Sequence, residues 1–381
     1  MPHRLLISIL SISCIVLSAI LQAATLPIPK PPAIGAKAYI LQAYTSGRVI
    51  AEENADQPVE PASITKLMTA YVVFNELASG NITLDDQVTI SEKAWRTPGS
   101  RMFVEVGKKV AVKDLIQGMI IQSGNDATVA LAEYIAGSED TFAALMNRHA
   151  EELGLTGSHF MNSTGLPDSE HYMTARDIAL LASRLIEQYP EYYKWYSVKE
   201  YTYNDITQKN RNKLLWQDES VDGMKTGFTD SAGYCLVTSA KRDGMRLISV
   251  VLGTDSPNAR ISASQSLLNY GFRFFETHKL YSAGKELATS RIWKGEIESL
   301  PLGLTKDLYV TIPRGRYESL NASMNINNRI VAPVAAGTAL GSVKVMLGDD
   351  LVAEQQLVSL QNVNEGSFWQ RITDEALLYF E

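Results

Sequence analysis

The order in which hydrophobic textures follow one another constrains the fold most. Residues 38–50 alternate around a Ser46-Gly47 turn and read as a β-hairpin. A block of helical periodicity follows. Residues 63–78 carry Leu67, Met68, Tyr71, Val72, Phe74 and Leu77 at helical spacing, and Gly80 stops the run. Residues 114–122, 126–136, 141–153 and 174–188 read as further helices. β-rich runs return at 234–239 and 246–253, joined by the turn Lys241-Arg242-Asp243-Gly244, and 262–277 reads as a closing helix. Hairpin, helices, strands and helix in this order predict one α/β (α+β) domain, an antiparallel sheet packed by helices. Beyond about residue 278, short alternating segments such as 308–312 and 343–346 lie between Gly, Pro and Asn turns. They predict a small C-terminal all-β domain.

The chain has 381 residues, more than one core usually fills, so two domains are expected. At 45% apolar and 20% charged residues it is neither disordered nor wholly membrane-embedded. Met1-Pro2-His3-Arg4, an uncharged apolar run to Leu21 and small residues at Ala23 and Ala24 read as a cleaved export leader. The expected organisation is a leader at 1–23, a main domain at 24–277, a β-domain at 278–365 and a terminal helix at 366–381. The leader places the mature chain in the periplasm. It removes Cys14 and leaves Cys235, in a strand-like run, as a buried small hydrophobe. The net charge of −7 offers no basic excess for phosphate, so no nucleic acid partner is expected.

Three short motifs carry the chemistry. Ser63-x-x-Lys66 opens a strong helix and puts both side chains on one face. A serine there is ordinarily a cap. Alternatively, the helix N-terminus aims positive N–H groups at a reacting centre, and a desolvated lysine serves the serine as base. Ser123-Gly124-Asn125 lies between two helical runs, where a loop can present polar side chains; its plain alternative is again a cap. Lys225-Thr226-Gly227 precedes strands, where ammonium and hydroxyl could hold a carboxylate and Gly227 could admit substrate backbone. Decoys fall away on physical grounds. Ser79-Gly80-Asn81 is at the far end of the Ser63 helix, roughly 24 Å away at ~1.5 Å per residue. Ser282-x-x-Lys285 contains Gly284 and sits between domains. Ser256 lies in a turn, and Ser319 and Ser323 in the β-domain.

Taken together and in this order, the motifs resemble those of the penicillin-recognising serine acyltransferases, with a β-lactamase/transpeptidase-like domain. Ile120-Ile121-Gln122-Ser123-Gly124-Asn125-Asp126-Ala127, Ala136-Gly137-Ser138-Glu139, Asn162-Ser163-Thr164-Gly165-Leu166 and Tyr270-Gly271-Phe272-Arg273-Phe274-Phe275 narrow the resemblance to bacterial D-alanyl-D-alanine carboxypeptidases. The resemblance implies that Ser63 attacks the bond between the terminal D-alanines of a peptidoglycan stem peptide and Lys66 takes its proton. Ser123 relays a proton and helps hold Lys66, and Asn125 contacts substrate or Lys66. The N–H groups of Ser63 and Phe228 form the oxyanion hole. Lys225, Thr226 and Arg260 bind the terminal carboxylate, Arg260 being assigned by its distance from Lys225. β-Lactams are mimics that stall on the serine. Phe228 stands where related enzymes often have His, a departure that leaves the backbone N–H role intact.

No metal or other cofactor is expected: His149, His159, His171 and His278 lack ligand spacing, and His3 is in the leader. Aromatics at 189–203 are expected to pack rather than to bind sugars. From Phe368, a 100° wheel places Phe368, Trp369, Ile372, Ala376, Tyr379 and Phe380 on one face. That predicts a helix lying on a membrane surface, although its polar face has more acid than base. A class A β-lactamase is disfavoured because no Glu-x-x-Leu-Asn string separates Asn125 from Lys225. A D,D-endopeptidase and a non-turnover β-lactam or wall-peptide sensor are the remaining alternatives.

Overall fold

The computed structural model describes residues 28–379. The leader expected at 1–23 lies outside the described residues, as do Phe380 and Glu381 of the terminal wheel. Strand β1 (Ala38–Ala43) forms a hairpin with β2 (Val49–Glu53). The other three strands of the sheet come from far along the chain: β3 (Val221–Thr229), β4 (Gly233–Arg242) and β5 (Met245–Thr254). The order is β2-β1-β5-β4-β3, with every neighbour antiparallel. Lys225-Thr226-Gly227 therefore lies on the edge strand β3.

Side chains alternate across this sheet. Ile40, Cys235, Val237, Ile248 and Val250 face a helical layer. Leu41, Leu236, Leu247 and Val251 face helix α5 (Pro257–Phe274) through Leu267 and Leu268. The helical layer contains α1 (Lys66–Ala78), α2 (Asn125–Ala136), α3 (Glu139–Leu153) and α4 (Ala175–Gln188). Ten of the thirteen α1 residues are buried, so α1 runs through the core and carries Lys66 in with it. Tyr189, Tyr193 and Tyr196 are buried, and Trp195 meets the Phe74 ring edge-on, so this aromatic run packs the core.

Two helices differ from the periodicity reading. Residues 112–122 are an α-helix only at Val112–Gln117; Gly118–Gln122 widens into a π turn. The closing helix starts at Pro257 because the Ser256 hydroxyl accepts the Ala259 N–H and proline suits the first helical position. Ser256, read as a turn residue, is thus a cap. The helix ends at Phe274, and Phe275–Tyr281 is a strand paired with Leu308–Pro313. Residues 275–277 therefore belong with the C-terminal β-structure. The rest of that structure is a six-stranded sheet enclosing two small apolar clusters. The Ser46 hydroxyl meets that of Thr311 at 2.6 Å, joining the first hairpin to this part. Helix α6 (Phe368–Leu378) ends the described chain with a Ser367/Gln370 capping box.

Candidate active site

Residues Ala62–Thr65 form a 3-10 turn leading into α1, and neither Ser63 nor Thr65 makes a side-chain cap. The ordinary alternative for Ser63, a helix cap, is therefore absent, and its hydroxyl is left for other work. Two glycines pack closely against this turn. A Cβ on Gly227 would meet the Pro61 carbonyl at 2.8 Å, and one on Gly165 would meet the Ala62 carbonyl at 1.9 Å. Gly227 lets strand β3 close on the serine turn, a different service from admitting substrate. His171 fastens the turn as well. Met161 donates its N–H to Nδ1, which leaves Nε2 protonated to donate to the Thr65 hydroxyl at 2.8 Å. Burial holds that imidazole neutral, with its pKa down to about 4.

Lys66 is 1% exposed. Its Nζ lies 3.1 Å from Ser63 Oγ, 2.7 Å from Asn125 Oδ1 and 2.7 Å from the Thr164 carbonyl. The Asn125 orientation is fixed because its Nδ2 donates to the Pro98 carbonyl at 2.6 Å. Two of the three partners of Lys66 can only accept. A neutral amine has two N–H groups and one lone pair, so both donors are committed and the lone pair faces Ser63. Burial, then the Arg211 charge, push the Lys66 pKa down to about 7, with Asp126 and Glu139 pulling the other way.

Ser123 closes the π turn in left-handed conformation, φ 65°, a backbone state uncommon for a non-glycine. Its hydroxyl accepts from Lys225 Nζ at 2.8 Å. Lys225 is 3% exposed and also donates to the Thr226 carbonyl. Burial, followed by the charge of Lys66, holds its pKa well below the usual lysine range. The structure thus places Lys225 behind Ser123 rather than in the cleft, and Ser123 on Lys225 rather than on Lys66. Thr226, Gly227, Phe228 and Arg260 do line the cleft.

That cleft has two connected hollows that share Ser63, Ser100, Arg211 and Phe228. One, about 310 Å³, runs past Asn125, Thr164 and Leu166. The other, about 490 Å³, gathers Lys209, Arg211, Lys213 and Arg260 without any acidic lining residue, a setting for an anionic group. Arg260 donates to the Gly227 carbonyl at 3.0 Å and lies over the Tyr234 ring. Phe228 stacks on that ring at 4.2 Å and forms a half-exposed apolar shelf beside the serine. Arg211 and the Thr164 carbonyl escaped the sequence reading. Asn210-Arg211-Asn212 looks like any loop cation, and a carbonyl has no residue signature.

A buried amine facing a serine at a helix start, beside a cationic hollow, is an arrangement suited to a serine hydrolase. Residues 26–256 match the D-alanyl-D-alanine carboxypeptidase family, and the chain belongs to that family. Residues 275–365 match the C-terminal domain of penicillin-binding protein 5. Escherichia coli D-alanyl-D-alanine carboxypeptidase DacC is 44% identical over 357 residues, 92% of this chain and 89% of that protein. The crystal structure of penicillin-binding protein 5 from Haemophilus influenzae matches with a TM-score of 0.86 at 42% identity, over 88% of this chain and all of that one. The ampicillin-bound penicillin-binding protein D2 of Listeria monocytogenes is 30% identical, with a TM-score of 0.59, over 64% of this chain and all of its own.

Proposed function

We propose that this chain is a serine D-alanyl-D-alanine carboxypeptidase acting on peptidoglycan stem peptides in the periplasm. The observation that carries the reading is the Lys66 amine, its two donors held by Asn125 and Thr164 and its lone pair aimed at Ser63. Ser63 Oγ attacks the carbonyl carbon of the penultimate D-alanine while Lys66 Nζ takes its proton. Negative charge collects on the carbonyl oxygen, where the N–H groups of Ser63 and Phe228 receive it. The C–N bond then breaks, and the proton that Lys66 took from Ser63 passes to the departing D-alanine amine with the Ser123 hydroxyl as its carrier. Thr226, Arg260 and Arg211 hold its carboxylate in the cationic hollow. Lys225 supports Ser123 from behind. Water next attacks the ester and frees Ser63. A β-lactam opens on the same serine, but its amine stays tethered to the acyl group instead of departing as D-alanine does, so its ester persists.

A steady D-alanine release assay on monomeric and cross-linked wall peptides tests this. Turnover on monomers ending in D-Ala-D-Ala is expected. Comparable rates on cross-linked dimers would favour an endopeptidase, and a single burst without turnover a sensor.

The same reading has the leader at 1–23 removed on export and the chain divided after Phe274, three residues earlier than the 277/278 boundary expected, because Phe275–Tyr281 pairs with Leu308–Pro313. It also attaches the protein to the outer face of the inner membrane through α6. Two of the acids that count against this attachment are engaged internally. Asp374 accepts the Lys294 N–H and pairs with Arg291, and Glu375 pairs with Lys294. With that side docked, Phe368 and Trp369 stand 62% and 74% exposed, next to Ile372. No helix among the described residues is long and apolar enough to cross a membrane. Truncation before Ser367 should move the protein from the membrane to the soluble fraction; unchanged fractionation rejects the attachment.

A further inference from the structure

Asp126 is 1% exposed, yet among the described residues no lysine or arginine pairs with it. Its carboxylate instead accepts four backbone N–H groups. Oδ1 takes Met102 and Ala127, both at 2.9 Å, and Oδ2 takes Phe103 at 2.9 Å and Val104 at 3.2 Å. Ala127 belongs to the first turn of α2, where an anion is favoured. The other three come from a strap, residues 98–104, whose Gly99 and Ser100 line the cleft. Phe103 holds the left-handed conformation, φ 69°, with its ring half exposed, so this backbone is not there by its own preference.

The strap is what orients Asn125. The Asn125 N–H donates to the Ser100 carbonyl and its Nδ2 to the Pro98 carbonyl, both at 2.6 Å. Contact is closer than side chains permit. A Cβ on Gly99 would stand 2.7 Å from Asn125 Nδ2, and one on Gly124 would stand 2.9 Å from Asp126 Oδ1 and 3.0 Å from Met102 N.

We propose that Asp126 is a positioning residue for acylation: it clamps the 98–104 strap, the strap fixes the Asn125 amide, and Asn125 aims Lys66 at Ser63. The inference rests on the assignment of Ser63 and Lys66 above. It goes further in making a carboxylate that touches no substrate control the reaction through three backbone N–H groups.

The test compares the parent chain with Asp126→Asn and Gly99→Ala. The readout is the rate of acylation by a fluorescent penicillin across pH, corrected for the folded fraction. Asparagine cannot accept on both arms, and a Cβ at Gly99 pushes the strap off Asn125. In both variants the high-pH plateau per folded molecule falls about 10²-fold, as for a small misplacement of reacting groups. The charged groups facing Lys66 are Arg211, Asp126, Glu139 and Lys225. Removing the Asp126 charge lowers the Lys66 pKa, so the acid limb of Asp126→Asn moves to lower pH, while that of Gly99→Ala stays. A plateau within twofold of the parent in either folded variant overturns the assignment. If Asp126→Asn does not fold, Gly99→Ala decides alone. A parent chain that fails to acylate at all sinks the functional reading instead, which keeps the two failures apart.

Discussion

Ser63→Ala releases no D-alanine and takes no covalent penicillin label. The expected loss in turnover is on the order of 10⁶, the scale seen when a nucleophile is removed from a site that acts as a unit. A rival exists, because a second cleft serine, Ser123, has a buried lysine, Lys225, behind it. Ser123 Oγ and Lys225 Nζ are 2.8 Å apart, closer than Ser63 and Lys66 at 3.1 Å. Burial depresses both lysines, so both amines could in principle act as bases. The surroundings separate the pairs. Ser63 sits on the 3-10 turn that opens α1, where unpaired N–H groups and the helix dipole favour a developing oxyanion. Ser123 lies between a π turn and the start of α2, but the N–H groups there are already spent, Asn125 on the Ser100 carbonyl and Ala127 on Asp126. Lys225 also donates to the Thr226 carbonyl, so it supports the Ser123 hydroxyl as a fixed proton carrier. Mass spectrometry of penicillin-treated protein decides: label retained in Ser63→Ala and mapped to Ser123 would falsify the nucleophile assignment.

What the sequence reveals and what it hides divide along chain separation. Ser63 and Lys66 are one helical turn apart, so their shared face follows from periodicity alone. The sheet was legible as strands, because Ile40/Leu41 and Leu236/Val237 alternate. The pairing of β1 with β5 is set by packing across 200 residues of chain and has no local mark. The polar contacts behave likewise. Lys66 meets the Thr164 carbonyl 98 residues away, and Lys225 meets Ser123 across 102. A Lys-Thr-Gly read locally suggests an exposed ammonium for a carboxylate. Only the closure of β3 on the serine turn, which bare Gly227 permits, buries Lys225 and turns it toward Ser123. That leaves the cationic hollow to Lys209, Arg211 and Lys213, which no motif announces, and to Arg260, which the resemblance implied by its distance from Lys225. Asp126, one residue past a motif, reads as an ordinary first-turn acid until the strap is seen to hang from it.

Lys66 governs the second large effect, and its sign follows from burial. The amine must be neutral to take the Ser63 proton, and its pKa lies at about 7 instead of the ordinary lysine value. Below that pH the side chain carries its own proton and cannot accept another; above it the lone pair is free. Acylation by penicillin should therefore rise with pH through neutrality and then level off. Lys66→Met keeps the volume and removes the base. It should cut the plateau by about 10²–10⁴-fold and abolish the acid limb, since Lys225, the other depressed lysine, is turned to Ser123 and the Thr226 carbonyl and not to Ser63. Arg211→Gln provides the electrostatic check. Its charge is the largest force after burial holding the Lys66 pKa down, so its removal lets the amine keep its proton longer. The acid limb then moves to higher pH, opposite to the shift expected of Asp126→Asn. Arg211 also lines the anionic hollow, so KM for the peptide should rise, but a weaker grip on substrate cannot move the limb of the acylation rate. A limb that stays in place in Arg211→Gln and persists in Lys66→Met would show that another group, not Lys66, receives the serine proton.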